Sequence, residues 1–349
     1  VPSVISLIEL GPISEKIERL GISVRSLGMH PGKPNVASIG RLLRWIRQDR
    51  PHVIQTWMYH ADLLGGVAAR LAGHIPIAWG VRHSDPRTQG YGLLTMPTVK
   101  LCARLSRWIP KRIVCCSEAS REAHVAFGYT ADKMVVIPNG VDLTALKPDP
   151  DACRVTRHAL SIPTEASVIG LVGRFHPQKD HKNFVQAAKL IFSKRPSVYF
   201  VLCGEGVTWD NRELALWIDD AGIRENCRLL GRREDVPQLM ASFDLATSSS
   251  CFGESFANVV SEAMSCGVPC VVTDVGDSAY IVGPTGIVVP PRDAAALARA
   301  WERMFDLGRE QLLRTGLQAR QRIKEHFDLP DIVDRYQALF EDLAISRAA

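Results

Sequence analysis

The feature that most restricts the fold of this chain is an alternation. Short apolar, β-branched runs are separated by longer amphipathic stretches such as "IGRLLRWIRQD" and "ADLLGGVAARLAG". In the first half the runs are "VPSVISL", "SVRSLG", "HVIQTW", "IPIAWGV", "RIVCCS" and "MVVIPN"; in the second they are "SVIGLVGR", "VYFVLCG", "CRLLG", "LATSSS", "PCVVTDV" and "GIVVPP". Strands that are apolar throughout must be covered on both faces, and the intervening helices supply the cover. That pattern belongs to parallel sheets. With 349 residues the chain exceeds what one core accommodates, and the alternation occurs twice. The expected fold class is therefore α/β, with two doubly wound, Rossmann-like domains. The break is expected in "NGVDLTALKPDPDAC", where Pro148 and Pro150 should interrupt any helix.

Composition narrows the setting. No apolar run reaches the length of a membrane span, and nothing at the start reads as a secretory signal. Nine cysteines occur without a CxxC pair, which reads as reduced, mostly buried thiols of a cytoplasmic protein. Charge is divided unequally. Residues 1–149 carry 19 basic and 11 acidic side chains, whereas residues 150–349 carry 23 and 26. A basic first half implies a negatively charged partner for it.

In open parallel sheets, ligands bind beyond the carboxyl ends of the strands. Three loops at such positions carry unusual residues. "LVGRFHPQKDH" holds Arg174 and Lys179; "LCGEGV" holds Gly204 and Gly206, which permit close backbone approach. "SSSCFGESFANVVSEA" holds Glu254 and Glu262, eight positions apart. A helix beginning near Ser255 would direct the free amides of Ser255, Phe256, Ala257 and Asn258 outward and form an anion site. Taken singly, each residue has an ordinary reading. Glu254 would complement a helix N-terminus, Glu262 would lie on a solvated helix face, and the two cations would be surface charges. Together, two cations, a glycine-rich turn and a helix start suit a diphosphate, and the second carboxylate suits the hydroxyls of a ribose.

These motifs resemble those of glycosyltransferase family 4, retaining enzymes of the GT-B fold, in which two doubly wound Rossmann-like domains face each other across a cleft. The family's E-x7-E motif matches Glu254 and Glu262, and its G-R-x4-K motif matches Gly173, Arg174 and Lys179. "PNGVD" at 138–142 is similar to the family's end of the first domain, and "SEAMSCGVPCVV" to a recurrent family signature. The resemblance implies an N-terminal, acceptor-side domain over residues 1–145 and a nucleotide-sugar-binding domain over 146–330. A C-terminal helix over 331–349, containing "DIVDRYQALFEDLA", would cross back to the first domain. It also implies that Arg174 and Lys179, with Gly204 and the Ser255–Asn258 amides, hold the donor's diphosphate. Glu262 would hold the ribose, and Glu254 would lie beside the transferred sugar. As the glycosidic bond breaks, such cations and amides can stabilise the leaving phosphate without a metal, so no cofactor and no metal site is expected. The triplet Asp149-Pro150-Asp151 could hold a metal–nucleotide in another transferase fold, but no strand leads into it.

The family also has a histidine at the strand end of "AWGVRHSD", facing acceptor and donor sugar; His83 occupies that position here, with Ser84 beside it. His60, in "QTWMYHAD", is expected to cap or pack a helix. Two basic amphipathic segments remain. "GRLLRWIRQDR" reads as an ordinary domain helix with a solvated face. "VKLCARLSRWIPKR", residues 99–112, adds Trp108 to Lys100, Arg104, Arg107, Lys111 and Arg112, a composition that suits the surface of an anionic membrane. Nucleic acid is not an expected partner, because no aromatic platform is interleaved. The expected activity is transfer of a sugar from a nucleotide-sugar to a hydroxyl of a glycan or lipid-linked acceptor in polysaccharide biosynthesis. It would proceed with retention, in the cytoplasm or on the inner membrane face. An epimerase or hydrolase on the same fold, and a non-catalytic nucleotide-sugar-binding protein, are the alternatives. The chain opens directly on a strand, where the family has an earlier strand, glycine-rich loop and helix, about 30 residues in such a unit. That unit is expected to be missing and transfer correspondingly weak.

Overall fold

A computed structural model describes residues 2–30, 36–84 and 95–348. It divides into two compact units. One comprises Val1–Cys116, Ser120–Ile137 and Arg335–Ala349, and the other Ser117–Ala119 and Pro138–Asp334. All twelve apolar runs form strands. The first unit holds β1 (Ser3–Ser6), β2 (Ser23–Ser26), β3 (Ile54–Gln55), β4 (Ile77–Val81), β5 (Arg112–Cys115) and β6 (Met134–Val136). The second holds β7 (Ser167–Val172), β8 (Val198–Cys203), β9 (Cys227–Leu229), β10 (Leu245–Ser248), β11 (Cys270–Thr273) and β12 (Ile287–Val289).

In the first unit β1 and β2 form a parallel pair, and β3-β4-β5-β6 form a separate parallel sheet. Both ladders contribute to one core, in which Leu27, Tyr59, Ile77, Trp79 and Ile113 are buried and Ile5 and Leu7 pack against them. The end of the long helix Leu329–Ala348 belongs to this unit. There the Tyr336 hydroxyl accepts a 2.6 Å bond from Arg82, and Arg335 donates to the Val136 carbonyl.

The second unit is one six-stranded parallel sheet in the order β12-β11-β10-β7-β8-β9. Starting from β7, the chain runs outward to β9, then returns to add β10, β11 and β12 on the other side of β7. The order reverses between β7 and β10, which makes their carboxyl ends the crevice where open α/β sheets bind ligands. The core is densely aromatic: Phe184, Phe200 and Trp301 meet edge to face or tilted at 5.2–6.4 Å. The Trp301 indole donates to Thr247 at 2.9 Å, so its one polar atom is satisfied.

One expectation about the linker is corrected. Pro150 does not interrupt a helix but starts one, Pro150–Ala159, where its fixed φ and missing N–H suit the first helical position. Asp149 caps that helix by accepting from the Ala152 amide at 2.8 Å, while Asp151 is exposed and pairs with Arg154.

A buried acid sits in the first unit. Asp62, on the helix Tyr59–Leu71, is fully buried; its Oδ1 accepts from Thr56 Oγ1 at 2.6 Å and from the Gly80 amide at 3.3 Å. Oδ2 has no hydrogen-bond partner among the described residues. Burial pushes the carboxyl up to about 8, with the Thr56 and Gly80 bonds opposing. The folded state therefore holds a proton that the unfolded chain releases, and this contribution to stability is lost as pH rises from the ordinary carboxylate range towards about 8. Asp62→Asn keeps the acceptor oxygen and removes the titration. Its melting temperature relative to wild type should rise steadily between about pH 5 and about pH 8. A difference that stays flat across that window would show that Asp62 is not protonated in the native state.

Candidate active site

The loops after β7 and β10 flank the crevice, and they are clasped together. After β7 the chain passes Gly173 and Arg174 and enters a short 3-10 turn, Pro177–Lys179. His176 caps the turn, its Nδ1 accepting from the Gln178 amide at 3.2 Å, and Asp180, in the left-handed region at φ 48°, caps the helix His181–Phe192 that follows. After β10 the Cys251 amide donates to the Gln178 carbonyl at 2.9 Å, and Ser249 Oγ donates to the Lys179 carbonyl at 2.6 Å. Lys179 then forms an ion pair with Glu254, and Ser250 Oγ donates to the same carboxylate oxygen at 2.8 Å. Glu254 is only 7% exposed, so this is a largely desolvated pair rather than a surface one.

Two glycines make the clasp possible. A Cβ on Gly204 would overlap the Gly173 carbonyl, and the Lys179 stem crosses Gly173 at 3.3–3.4 Å from where a Cβ would stand. Backbone, backbone and lysine stem are thus stacked at the end of β7 and β8. On the other side, Gly276 has φ 60°, and a Cβ there would strike the Glu254 carbonyl. The Asp277 amide donates to the Ser255 carbonyl at 3.0 Å. These contacts hold residues 254–257 in a non-helical path.

That path corrects the expected helix start. The helix is Asn258–Ser265, with Ala257 at its N-cap, three residues later than Ser255. Val260 N turns back on the Ala257 carbonyl at 2.9 Å, so the open first-turn amides are those of Asn258 and Val259. Ser255, Phe256 and Ala257 are buried instead in the approach to the helix, where Phe256 packs edge to face on Phe327 at 5.4 Å.

Glu262 lies one turn further along, half-buried. No hydrogen bond or ion pair engages it among the described residues, and burial raises its pKa above the usual carboxylate range. It does not lie on a solvated helix face. The helix is fixed behind it by Arg320, which donates to the carbonyls of Ser265, Leu146 and Leu143. Arg174 is exposed, and its side chain has no hydrogen-bond or ion-pair partner among the described residues. Burial lowers the His176 pKa, and the charges of Arg174 and Lys179 lower it further.

In the first unit His83 follows β4 and is half-buried, its carbonyl accepting from Ser120 Oγ at 2.6 Å; Ser84 beside it is buried. His60 neither caps nor packs. It is exposed at the second position of its helix, whose N-cap residue is Met58 and carries no side-chain bond. Sequence reasoning also passed over Ser250 and Gly276. The first was one serine in a run of four small polar residues, and the second lay between acids in "DVGDS", where only a three-dimensional contact marks it.

Gly276→Ala combines left-handed strain with a backbone collision, and should destabilise the second unit by about 1–3 kcal/mol in urea denaturation. Gly222→Ala is the control, because Gly222 also has positive φ but a Cβ there meets nothing within 4 Å. Equal losses in the two variants would mean that the Gly276–Glu254 contact does not constrain the loop.

Comparison with known proteins finds relatives of both halves of the chain. Residues 6–145 match the family model described as Glycosyltransferase Family 4, and residues 166–306 match the model described as Glycosyl transferases group 1. A UDP-Gal:alpha-D-GlcNAc-diphosphoundecaprenol alpha-1,3-galactosyltransferase of Escherichia coli is 24% identical over 326 residues, covering 90% of this chain and 81% of that enzyme. A D-inositol 3-phosphate glycosyltransferase of Salinispora tropica is 30% identical over 213 residues, covering 56% of this chain; the chain spans 44% of that relative's length. Among solved structures, Anabaena HepE in complex with UDP has a TM-score of 0.86 at 22% identity, over 97% of this chain and 92% of that one. Sucrose-phosphate synthase of Thermosynechococcus elongatus has a TM-score of 0.79 at 18% identity, over 99% of each chain. With both halves matched and the paired Rossmann-like fold in common, the chain belongs to the family 4 glycosyltransferases of GT-B type.

Proposed function

We propose that this glycosyltransferase moves a hexosyl group from a uridine diphosphate sugar to a hydroxyl of a lipid-linked glycan, with retention of configuration and without a metal. The observation that carries the reading is the Lys179–Glu254 clasp at the switch point of the second unit. The choice of uridine and of a lipid-linked acceptor draws on the E. coli relative and on the UDP complex of HepE. In this reading Arg174 and Lys179 receive the diphosphate, the open amides of Asn258 and Val259 add to them, and Glu262 accepts from the ribose hydroxyls. Glu254 lies beside the sugar, and His83 serves at the acceptor side. The bond from the anomeric carbon to the diphosphate oxygen breaks as the acceptor oxygen bonds the same carbon from the same face. The acceptor's proton leaves with the nucleoside diphosphate. Negative charge collects on the departing phosphate, where preorganised cations stabilise it. Asp149 of the DxD triplet uses Oδ1 to cap its helix.

The two glutamates should separate in their effects. Glu262→Ala should weaken UDP binding in calorimetry by about 1.5–3 kcal/mol, the worth of a hydrogen bond to a charged group. Glu254→Ala should leave UDP affinity closer to wild type and depress turnover. Because burial raises the Glu262 pKa, UDP affinity of the wild type should begin to fall on acidification at a higher pH than an ordinary carboxylate would allow, and Glu262→Gln should remove that dependence. Equal losses of affinity in both alanine variants, with turnover untouched, would contradict this division of roles. Full transfer activity in EDTA is also expected; an absolute need for a divalent ion would overturn the metal-independent reading.

A lipid-linked acceptor places part of the enzyme at a membrane, and residues 99–112 suit that position. Trp108 is 60% and Leu101 42% exposed, and Lys100, Arg104, Arg107 and Lys111 are exposed around them. The turn that presents Trp108 is held by Lys133, whose ammonium caps the carbonyls of Ser106, Arg107 and Pro110, and by Arg70 on the Trp108 carbonyl. Each cation near an anionic surface is worth about 1 kcal/mol. Sedimentation with phosphatidylglycerol-containing vesicles should decline with salt and fall sharply in Trp108→Ser combined with Arg104→Gln and Arg107→Gln. Equal binding to purely zwitterionic vesicles would argue against this surface.

A further inference from the structure

The second unit has a cavity that the donor reading does not use. It measures about 480 Å³, within the range of roughly 300–1,000 Å³ that small-molecule sites occupy. None of Arg174, Lys179, Glu254 or Glu262 lines it. It lies against the same loop, walled by Phe175 and His176, the start of the helix His181–Phe192, and Trp217 on the helix Arg212–Ala221.

Its lining is built in a particular way. Phe175 and Trp217 are 5.8 Å apart with rings tilted by 40°, and they form an aromatic wall. Lys182 Nζ stands 5.8 Å from the Trp217 ring centre. His181 and Asn183 line the cavity while only 1% and 4% exposed, and Nδ2 of Asn183 has no hydrogen-bond partner among the described residues. Burial lowers the His181 pKa to about 4 against a hydrogen bond with the Gly173 backbone, so the imidazole is neutral. Orphaned polar groups at this depth are costly unless something pairs with them. The remaining charges balance, with Lys182 and Arg292 against Asp180 and Glu213.

A neutral site with an aromatic wall, both donors and acceptors, and no excess cation does not suit a phosphate. It suits a ring with one apolar face and a rim of hydroxyls, since hydroxyls both donate and accept. We propose that this cavity is a second carbohydrate-binding site, with a sugar ring against Trp217 and its hydroxyls on Asn183 and His181. The inference rests on the lining and stands whether or not the donor assignment holds.

Saturation-transfer NMR on the full chain tests it, with maltose, N-acetylglucosamine and methyl α-galactopyranoside as probes and uridine and inorganic phosphate as controls. At least one sugar should give a saturable signal that persists under saturating UDP. Asn183→Leu, which removes the orphaned donor, should weaken that sugar about fivefold or more, the equivalent of one hydrogen bond. Trp217→Leu should weaken it independently, and serves alone if Asn183→Leu does not fold, as judged by its melting curve. No saturable signal from any sugar, displacement by UDP, binding of uridine or phosphate in preference, or an unchanged signal in the folded variants would each overturn the proposal.

Discussion

The second unit is organised around one ion pair. Lys179 and Glu254 come from loops on either side of the switch point, 75 positions apart in sequence. Burying two opposite charges rarely gains stability over an apolar pair of the same shape, because the desolvation penalty offsets the attraction. Their presence is better explained by what each charge can do when a third group arrives. On the proposed reading, a diphosphate would draw Lys179 away from Glu254, and Ser250 Oγ, which already donates to that carboxylate, would remain on it. The hydrogen bonds from Ser249 and Cys251 to the neighbouring loop hold the ends of β7 and β10 together independently of that ion pair.

The glycines around the pair explain why side-chain chemistry alone does not define the site. Gly204 lets the β8 loop lie on the Gly173 carbonyl, and Lys179 lies on the other side of Gly173. Adding one methyl at Gly204 would displace the backbone that carries Arg174. Gly276 does the same for Glu254. Both ends of the ion pair are therefore placed by backbone packing, which sub-ångström changes disturb, rather than by the flexible stems of the charged residues.

What the sequence disclosed follows from this distinction. The twelve strands were legible because continuous apolar runs between amphipathic stretches have few other folds available. The charged residues of the site were legible because they fall in loops at strand ends, and their spacing resembles that of a known family. The helix start was misplaced because the local signal, a glutamate followed by a serine, is that of a helix N-terminus. The tertiary bond from Asp277 to Ser255 and the Gly276 contact override it. Pro150 was read as a breaker because a proline is equally at home just before and just inside a helix. Only the Asp149 cap decides between the two.

Glu262 is a half-buried acid whose proposed role follows from its surroundings. Its helix is locked at the C-terminal end by Arg320, which bonds three carbonyls from two separate segments, and by Gly316, where the helix Arg309–Phe327 approaches Gly267 so closely that a Cβ would overlap its carbonyl. The carboxylate therefore cannot relieve its desolvation by swinging the helix outward. A rigid, half-buried acid without a hydrogen-bond partner is unfavourable in the empty protein. Hydroxyl donors would remove much of that penalty on binding, so the same burial that raises its pKa would also strengthen the hydrogen bond it could offer a ligand.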